Sequence, residues 1–287
     1  MLSVIVGLTS ALVYGAADFL GGVASTRISA IRVSALSALS GLALLLLLLP
    51  FVGGEWSASA IGYGLIAGTA GAIAIALLYA CLAIGPMSIL SPLTAVVSAI
   101  VPLLIGLARG ERFSPIGYVA IGIALVAVVL VGFVKETGAV RPSLRGVVMA
   151  IGSGSMIGIY LAFLDLTPPE SGLLPIITGR TVAVVLTFAA IGLLALVAVR
   201  RPSLRTSTGW RGGLRFALLC GFVDAAANVG LLLGLRIGEL SVVSVLTALY
   251  PAGTIILAAV VLKERIAPVQ YVGLALALTA AAMLALS

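Results

Sequence analysis

Uninterrupted apolar stretches of about 20 residues recur along this chain and constrain its fold more than any other feature. A helix of that length crosses the hydrocarbon core of a bilayer, where every backbone donor and acceptor must be satisfied internally. Barrel strands would alternate apolar and polar residues, which the segment "LSGLALLLLLLPFV" does not do. Only 9% of the 287 residues are charged, whereas a soluble domain carries about a quarter. The chain is therefore predicted to be an all-α polytopic membrane protein.

Charges, prolines and polar clusters divide the sequence into ten predicted transmembrane helices. The first is interpreted as a transmembrane helix rather than a signal peptide, because no basic segment precedes its apolar run and further spans follow. The connectors between the helices are short. The predicted helices are 2–23, 29–50, 60–83, 87–108, 114–134, 145–164, 172–199, 211–235, 240–261 and 267–286.

Basic residues are distributed unequally between the two predicted membrane faces. The face that holds Met1, called the N-terminal face below, has only Arg109, Arg112 and Arg236. By the positive-inside rule, the opposite face is cytoplasmic and both termini lie outside a cell (plasma or inner) membrane. The net charge of +7 therefore indicates contact with the lipid bilayer, and no nucleic-acid partner is predicted. The basic residues of the opposite face are Arg27, Arg32, Lys135, Arg141, Arg145, Arg200, Arg201, Arg205, Arg211, Arg215, Lys263 and Arg265.

Residue types that support catalysis are scarce. The chain has no histidine, which removes the commonest metal ligand and the usual neutral-pH proton carrier. Cys81 and Cys220 both lie in apolar runs and are interpreted as small buried residues. No metal or cofactor is predicted, a membrane enzyme is disfavoured, and any proton coupling must use carboxylates.

The sequence contains an internal repeat. Residues 84–127 align without a gap with residues 237–280, and 17 of 44 positions are identical. The identities include polar positions such as Thr94 and Thr247, and the "ER" pairs at 111–112 and 264–265. Two copies of five helices would enter the bilayer in opposite orientations, since five is odd, which is the inverted-repeat design of many secondary transporters. The predicted halves are 1–134 and 145–287, joined by a linker at 135–144.

Several segments resemble a known family. These are "ALVYGAADFLGG", "ALLYACLAIGPMSILSPLTA" and "LLLGLRIGELSVVSVLTALYPAGTIILAAVVLKERIAPVQYVG". In their order and spacing the chain resembles the EamA-type branch of the drug/metabolite transporter superfamily over its whole length. The resemblance implies ten transmembrane helices as two inverted five-helix repeats, a central cavity, and transport of small metabolites or drugs, frequently outward. Family members are commonly drawn with cytoplasmic termini, opposite to the charge count, so the orientation stays open.

Charged residues inside spans are costly unless they are paired or face water, so each is a candidate for the transport site. Asp18 lies in the first predicted helix, and Asp224 lies near the middle of the eighth with Asn228 one turn further on. Arg180 and Asp165 lie near the N-terminal face on either side of a short loop. They are expected either to form a structural ion pair, or to leave Arg180 free to bind an anion or act as a gate.

Aromatic and hydroxyl side chains complete the list of candidates. Tyrosine offers an apolar ring and a hydroxyl for an organic substrate, although packing alone also explains such residues. Hydroxyls at matching depths of helices 4 and 9 can line a path, or bond back to their own helix. Glu111 and Glu264 are expected to cap or pair locally, while Arg112 and Arg265 meet lipid headgroups. The further cavity candidates are Tyr14, Tyr79, Tyr160, Tyr250, Ser91, Thr94 and Thr247.

The sequence therefore predicts a secondary transporter that works by alternating access, exporting amino-acid-like or other small polar solutes. A channel or an uncoupled facilitator is the alternative, and a membrane-embedded enzyme ranks below both. Protons are a candidate coupling ion, and both a monomer and a homodimer are compatible with the sequence.

Overall fold

The structure is a computed structural model that describes residues 1–82, 87–132, 143–200, 209–261, 263 and 267–286. These residues form helices joined by short turns. The helices are α1 (Leu2–Ser25), α2 (Ala30–Val52), α3 (Ala58–Leu82), α4 (Met87–Ala108), α5 (Pro115–Gly132), α6 (Leu144–Asp165), α7 (Leu174–Arg200), α8 (Leu214–Ile237), α9 (Leu240–Thr247), α10 (Tyr250–Val261) and α11 (Pro268–Leu286). A short 3₁₀ turn (Pro169–Ser171) precedes α7.

The predicted helix boundaries agree with the structure to within three residues, except the predicted ends at 83 and 134, which lie outside the described residues. By length and composition, eight described helical segments can cross a membrane, and two shorter apolar helices lie at Leu93–Ala108 and Pro115–Val131. Local capping sets several of the starts: the hydroxyls of Ser57, Ser114 and Ser143 each accept a backbone N–H three residues further on. The arrangement of these helices as two inverted repeats stays a prediction.

The predicted ninth helix, 240–261, is wrong in one respect: it is two helices. α9 ends at Thr247, and α10 begins at Tyr250. The residue that follows, Pro251, has no N–H to donate to the carbonyl four residues earlier, which belongs to Thr247. Across the break, the N–H of Ala252 donates instead to the Leu249 carbonyl, at 2.9 Å. The break therefore coincides with Pro251, where one helix hydrogen bond cannot form.

Helix α1 packs along the break. Gly15 lies against the backbone of Tyr250 and Gly253, so that a Cβ atom added at Gly15 would overlap the Tyr250 carbonyl. The hydroxyl of Thr254 donates to the Gly15 carbonyl at 3.1 Å. The first and second halves of the chain therefore touch at backbone distance in the middle of the bundle.

The remaining packing joins helices from both halves. α1 packs on α8, α3 on α6 and α7, α2 on α7 and α8, α4 on α6 and α9, and α5 on α11. One apolar core holds buried residues of α1, α4, α5, α9 and α11, and a second holds buried residues of α2, α6, α7, α8 and α9. α1, α6, α7, α8 and α10 carry most of the predicted site residues.

Candidate functional site

The charged centre of the bundle is an ion pair between Arg180 of α7 and Asp224 of α8. The Arg180 side chain is 17% exposed and that of Asp224 is 23% exposed, so both are partly accessible within the bundle. Charges in a membrane interior persist when they are paired or reach water, and these two side chains are paired and partly accessible. The pair is therefore a candidate for direct contact with a solute.

Asn228 extends the pair into a network across three helices. Its side-chain amide donates to the backbone carbonyl of Asp224 at 2.8 Å and to the Asp224 carboxylate at 3.4 Å. The amide oxygen accepts a hydrogen bond from the hydroxyl of Tyr160 in α6, at 2.5 Å. The chain Tyr160–Asn228–Asp224–Arg180 thus links α6, α8 and α7, and confirms that Asn228 and Asp224 share one face of α8.

Two residues of α1 face this network. Tyr14 lies within electrostatic range of Tyr160, Arg180 and Asp18. Asp18 is itself close enough to interact with Tyr250 at the start of α10. Asp18 is an exposed residue, so its carboxylate is accessible.

Seven predicted candidates therefore lie in one group around the Arg180–Asp224 pair. The group combines one cation, two carboxylates, an amide and three phenols, a set that can bind both charges and the apolar part of a small solute. The residues that we call the central cluster are Tyr14, Asp18, Tyr160, Arg180, Asp224, Asn228 and Tyr250.

The expected ion pair between Asp165 and Arg180 is wrong. Asp165 pairs with Arg109, with 2.8 Å between the carboxylate and the guanidinium. The reason is depth: Asp165 is the last residue of α6 and Arg109 directly follows α4, so both lie at the N-terminal face. Arg180 lies nearly two turns inside α7 and reaches Asp224 instead. Asp165 therefore belongs to a pair at the face, outside the central cluster.

The hydroxyl candidates divide into different environments. Thr94 is fully buried, and its hydroxyl contacts the carbonyls of Leu90 at 3.0 Å and of Ala150 in α6 at 3.3 Å, so it joins helices. Thr247 is 9% exposed and its hydroxyl has no hydrogen-bond partner among the described residues. The side chains of Tyr79 and Ser91 lie outside the described part of the structure.

Glu111 makes a contact that the sequence did not indicate. Its carboxylate accepts the backbone N–H groups of Leu240 at 3.0 Å and Ser241 at 3.3 Å, and so caps the first turn of α9. The expected capping role holds, but the partner is a helix of the other half rather than a local one. The repeat drew attention to Glu111, although nothing in the sequence identified its partner.

Arg236, at the end of α8, is a second residue whose role was missed. Its guanidinium donates to the Thr167 carbonyl, to the Thr167 hydroxyl at 2.6 Å, and to the Pro168 carbonyl at 3.0 Å. It thereby fixes the loop between α6 and α7, and hence the depth at which Arg180 enters the bundle.

A bundle of apolar helices of membrane-spanning length with charged side chains inside it is the architecture of a polytopic membrane protein. The chain belongs to the EamA-like transporter family, whose model matches residues 1–133 and again 144–286. The family is part of the drug/metabolite transporter superfamily, as the resemblance implied. The chain is similar to a solved structure described as a crystal structure of a protein, with a TM-score of 0.76 and 17% sequence identity. The match covers 99% of this chain and 96% of that protein's chain, which shows a shared fold. No protein with curated annotation matches the sequence.

Proposed function

We propose that the protein is a secondary transporter that binds a small zwitterionic solute, such as an amino acid, at the central cluster and exports it by alternating access. The observation that supports this most is the partly accessible Arg180–Asp224 pair inside the bundle. A guanidinium binds a carboxylate through paired hydrogen bonds, and a carboxylate binds an ammonium group. A zwitterion supplies both partners in one molecule.

The pair has a clear role in the empty transporter. Asp224 neutralises Arg180 while no solute is bound, which keeps an unpaired charge out of the bundle. An incoming carboxylate would compete for Arg180, and the released Asp224 or the exposed Asp18 would hold the ammonium group. Tyr14, Tyr160 and Tyr250 would contact the apolar part of the solute. Asp18, which has no ion-pair partner among the described residues, is the candidate for proton coupling.

The packing of the helices supports the alternating-access part of the proposal. In an inverted repeat, exchanging the halves 1–134 and 145–287 should convert each inter-helix contact into another that also occurs. The exchange pairs α1 with α6, α3 with α8, and α4 with the α9–α10 segment. The contact between α1 and α8 then becomes the contact between α6 and α3. The contact of α1 with α9 and α10 becomes the contact of α6 with α4, and all of these contacts occur. Rocking of the two halves about the central cluster would open the cavity to each face in turn.

Transport is tested with the purified protein in vesicles loaded with unlabelled solute, where labelled amino acids are added outside. A carrier accumulates label by exchange until the internal pool is diluted, and it saturates. Flux that never exceeds equilibrium and does not saturate would identify a channel instead, whereas a coupled carrier differs from an uncoupled facilitator in that an imposed proton gradient drives net uptake. A further panel of organic cations and anions would show whether only one of the two charges is recognised.

The site is tested with Asp224→Asn and Arg180→Gln. Each should lower exchange at least tenfold, because a buried charge-assisted contact to the solute is lost. The matched control is Asp165→Asn, which makes the same change in an ion pair at the N-terminal face and should keep exchange within twofold. Equal losses in Asp165→Asn and Asp224→Asn would contradict the assignment of the site. Loss of pH-dependent exchange in Asp18→Asn alone would identify the proton-coupling residue.

A further inference from the structure

A cavity of about 380 Å³ lies at the face opposite the N-terminal face, where α1 ends and α8 begins. Arg27, Arg211 and Arg215 line it together with the apolar residues Leu214, Phe216 and Leu219. Arg215 precedes Asp224 by nine residues, about 14 Å along the axis of α8. The cavity is therefore separate from the central cluster.

The fold holds this cavity in a defined shape. Ile28 is buried against Ala24 and Ala217 in a small core that joins α1, α2 and α8. Gly213 lies so close to Ile28 that an added Cβ atom would come within 2.8 Å of it. The Arg27 guanidinium stacks over the Phe216 ring, 4.6 Å from its centre. This packing holds the end of α1, which is followed by Arg27, beside the start of α8. Arg211 lies in the turn before α8, and Arg215 lies in its first turn.

The positive charge of the cavity is not balanced by the described residues. All three arginine side chains belong to exposed residues, and neither ion pair of the described part involves them. The first turn of α8 adds backbone N–H groups that no side chain caps. The described carboxylates outside the bundle interior lie at the N-terminal face, away from the cavity: Glu55, Glu111, Asp165, Glu170 and Glu239.

An apolar stripe continues from the cavity along the outside of α8. Leu219 and Phe222 follow Arg215 by four and seven residues, so they lie on the same side of the helix. Leu219 is 52% exposed and Phe222 is 41% exposed, as expected for side chains that face lipid tails. A cationic cavity at the level of the membrane surface therefore leads directly into a hydrocarbon-facing surface.

From this juxtaposition we infer that the cavity is a binding site for one anionic phospholipid. The lipid phosphate contacts Arg27, Arg211 and Arg215, and an acyl chain runs along Leu219 and Phe222. A soluble phosphate would use the arginines but gain nothing from the stripe, which is why the structure favours a lipid. The inference does not depend on the identity of the transported solute.

The experiment measures phosphatidylglycerol binding to the purified full-length protein in detergent, by native mass spectrometry and by the shift in melting temperature. Arg211→Gln combined with Arg215→Gln should weaken binding roughly thirtyfold, from the usual contribution of a basic residue near an anionic lipid surface. The matched control combines Arg145→Gln with Lys263→Gln, which removes two exposed basic residues outside the cavity and should leave the affinity within about twofold. Leu219→Asn should weaken lipid binding several-fold without changing the number of arginines.

Two comparison ligands and one further variant complete the test. Phosphatidylcholine should bind at least tenfold more weakly than phosphatidylglycerol, and inorganic phosphate should not shift the melting temperature at the same concentration. Equal stabilisation by inorganic phosphate would show a simple anion site, and equal losses in both double variants would show a general charge effect. Either result overturns the inference. If the Arg211/Arg215 double variant does not fold, Arg27→Gln, which leaves α8 unchanged, should still weaken phosphatidylglycerol binding about fivefold, and unchanged binding would overturn the inference.

Discussion

α4 and the α9–α10 segment occupy aligned positions in the sequence repeat, yet only α4 is continuous. Ser98 in α4 is buried, and its hydroxyl donates to the Ala95 carbonyl at 2.8 Å, within the helix. The aligned residue of the second half is Pro251, and there the helix stops at Thr247 and restarts at Tyr250. Two segments with the same polar pattern therefore differ in backbone at the position where a proline replaces a serine.

The difference coincides with an unequal contribution to the central cluster. Five of its members, Tyr160, Arg180, Asp224, Asn228 and Tyr250, belong to the second half, whereas only Tyr14 and Asp18 belong to the first. Tyr250 begins α10 at the break, beside the close approach of Gly15. The two halves therefore contribute unequally. Most residues of the central cluster belong to the second half, and so does the broken helix beside them.

The largest effect is expected from breaking the Arg180–Asp224 ion pair inside the bundle. Asp224→Ala leaves Arg180 unpaired inside the bundle, which should lower the stability by about 3 kcal/mol, because the pair is partly accessible and so lies at the lower end of the usual range. Transport should be lost as well. The melting temperature in detergent and exchange in vesicles measure the two effects.

The comparison pair is Arg109–Asp165 at the N-terminal face, where the side chains are 36% and 22% exposed. Asp165→Ala should cost less than about 1 kcal/mol, because Arg109, the partner left behind, is 36% exposed at the membrane face and stays solvated. Similar losses for Asp165→Ala and Asp224→Ala would show that depth in the bundle does not decide the importance of a pair.

The second-largest effect concerns the break itself. Ser98→Pro would place in α4 the residue that interrupts the second half, and should destabilise the protein by about 3 kcal/mol because a buried helix bond is lost. Pro251→Ser restores the missing N–H and should leave the melting temperature equal or higher while lowering exchange, since Tyr250 would shift. Full exchange in Pro251→Ser would show that the break is not needed for transport.

Much of this fold could be predicted from local sequence. The lengths of the apolar runs, together with serines and prolines at their ends, gave helix boundaries within three residues, because capping and burial in lipid act over a few neighbouring residues. Asp18, Arg180 and Asp224 were found because a charge inside a span is costly. The break at Pro251 was missed, because prolines also occur inside unbroken helices such as α2 and α4.

The pairing of the site residues could not be predicted in the same way. Asp165 and Arg180 lie only 15 residues apart in the sequence, but their partners depend on the depth and rotation of four different helices. Glu111 shows the same limit, since its partners Leu240 and Ser241 lie in the other half. Such contacts depend on the packing of whole helices, which no short segment of sequence encodes.

A smaller effect is expected at this contact between the halves. Glu111→Ala removes a charged cap from α9 and should lower the stability by about 1–2 kcal/mol, because two backbone N–H groups lose their acceptor. Glu170→Ala is the control, as it removes an exposed carboxylate at the same face and should change the melting temperature by less than one third as much. If both variants melt at the same temperature, the cap does not stabilise the contact.

The smallest effect concerns the two aligned threonines, Thr94 and Thr247. Replacing each with valine is expected to change the stability in opposite directions. Thr94→Val removes a hydroxyl that contacts carbonyls of α4 and α6, so it should destabilise the protein by about 1 kcal/mol. Thr247→Val removes a buried hydroxyl without a partner among the described residues, so it should be neutral or stabilise by up to about 1 kcal/mol. Parallel melting curves of the two variants measure the difference. Equal destabilisation by both would mean that Thr247 is bonded in the membrane, for example to an ordered water at the break, and that the two halves are more alike than their backbones indicate.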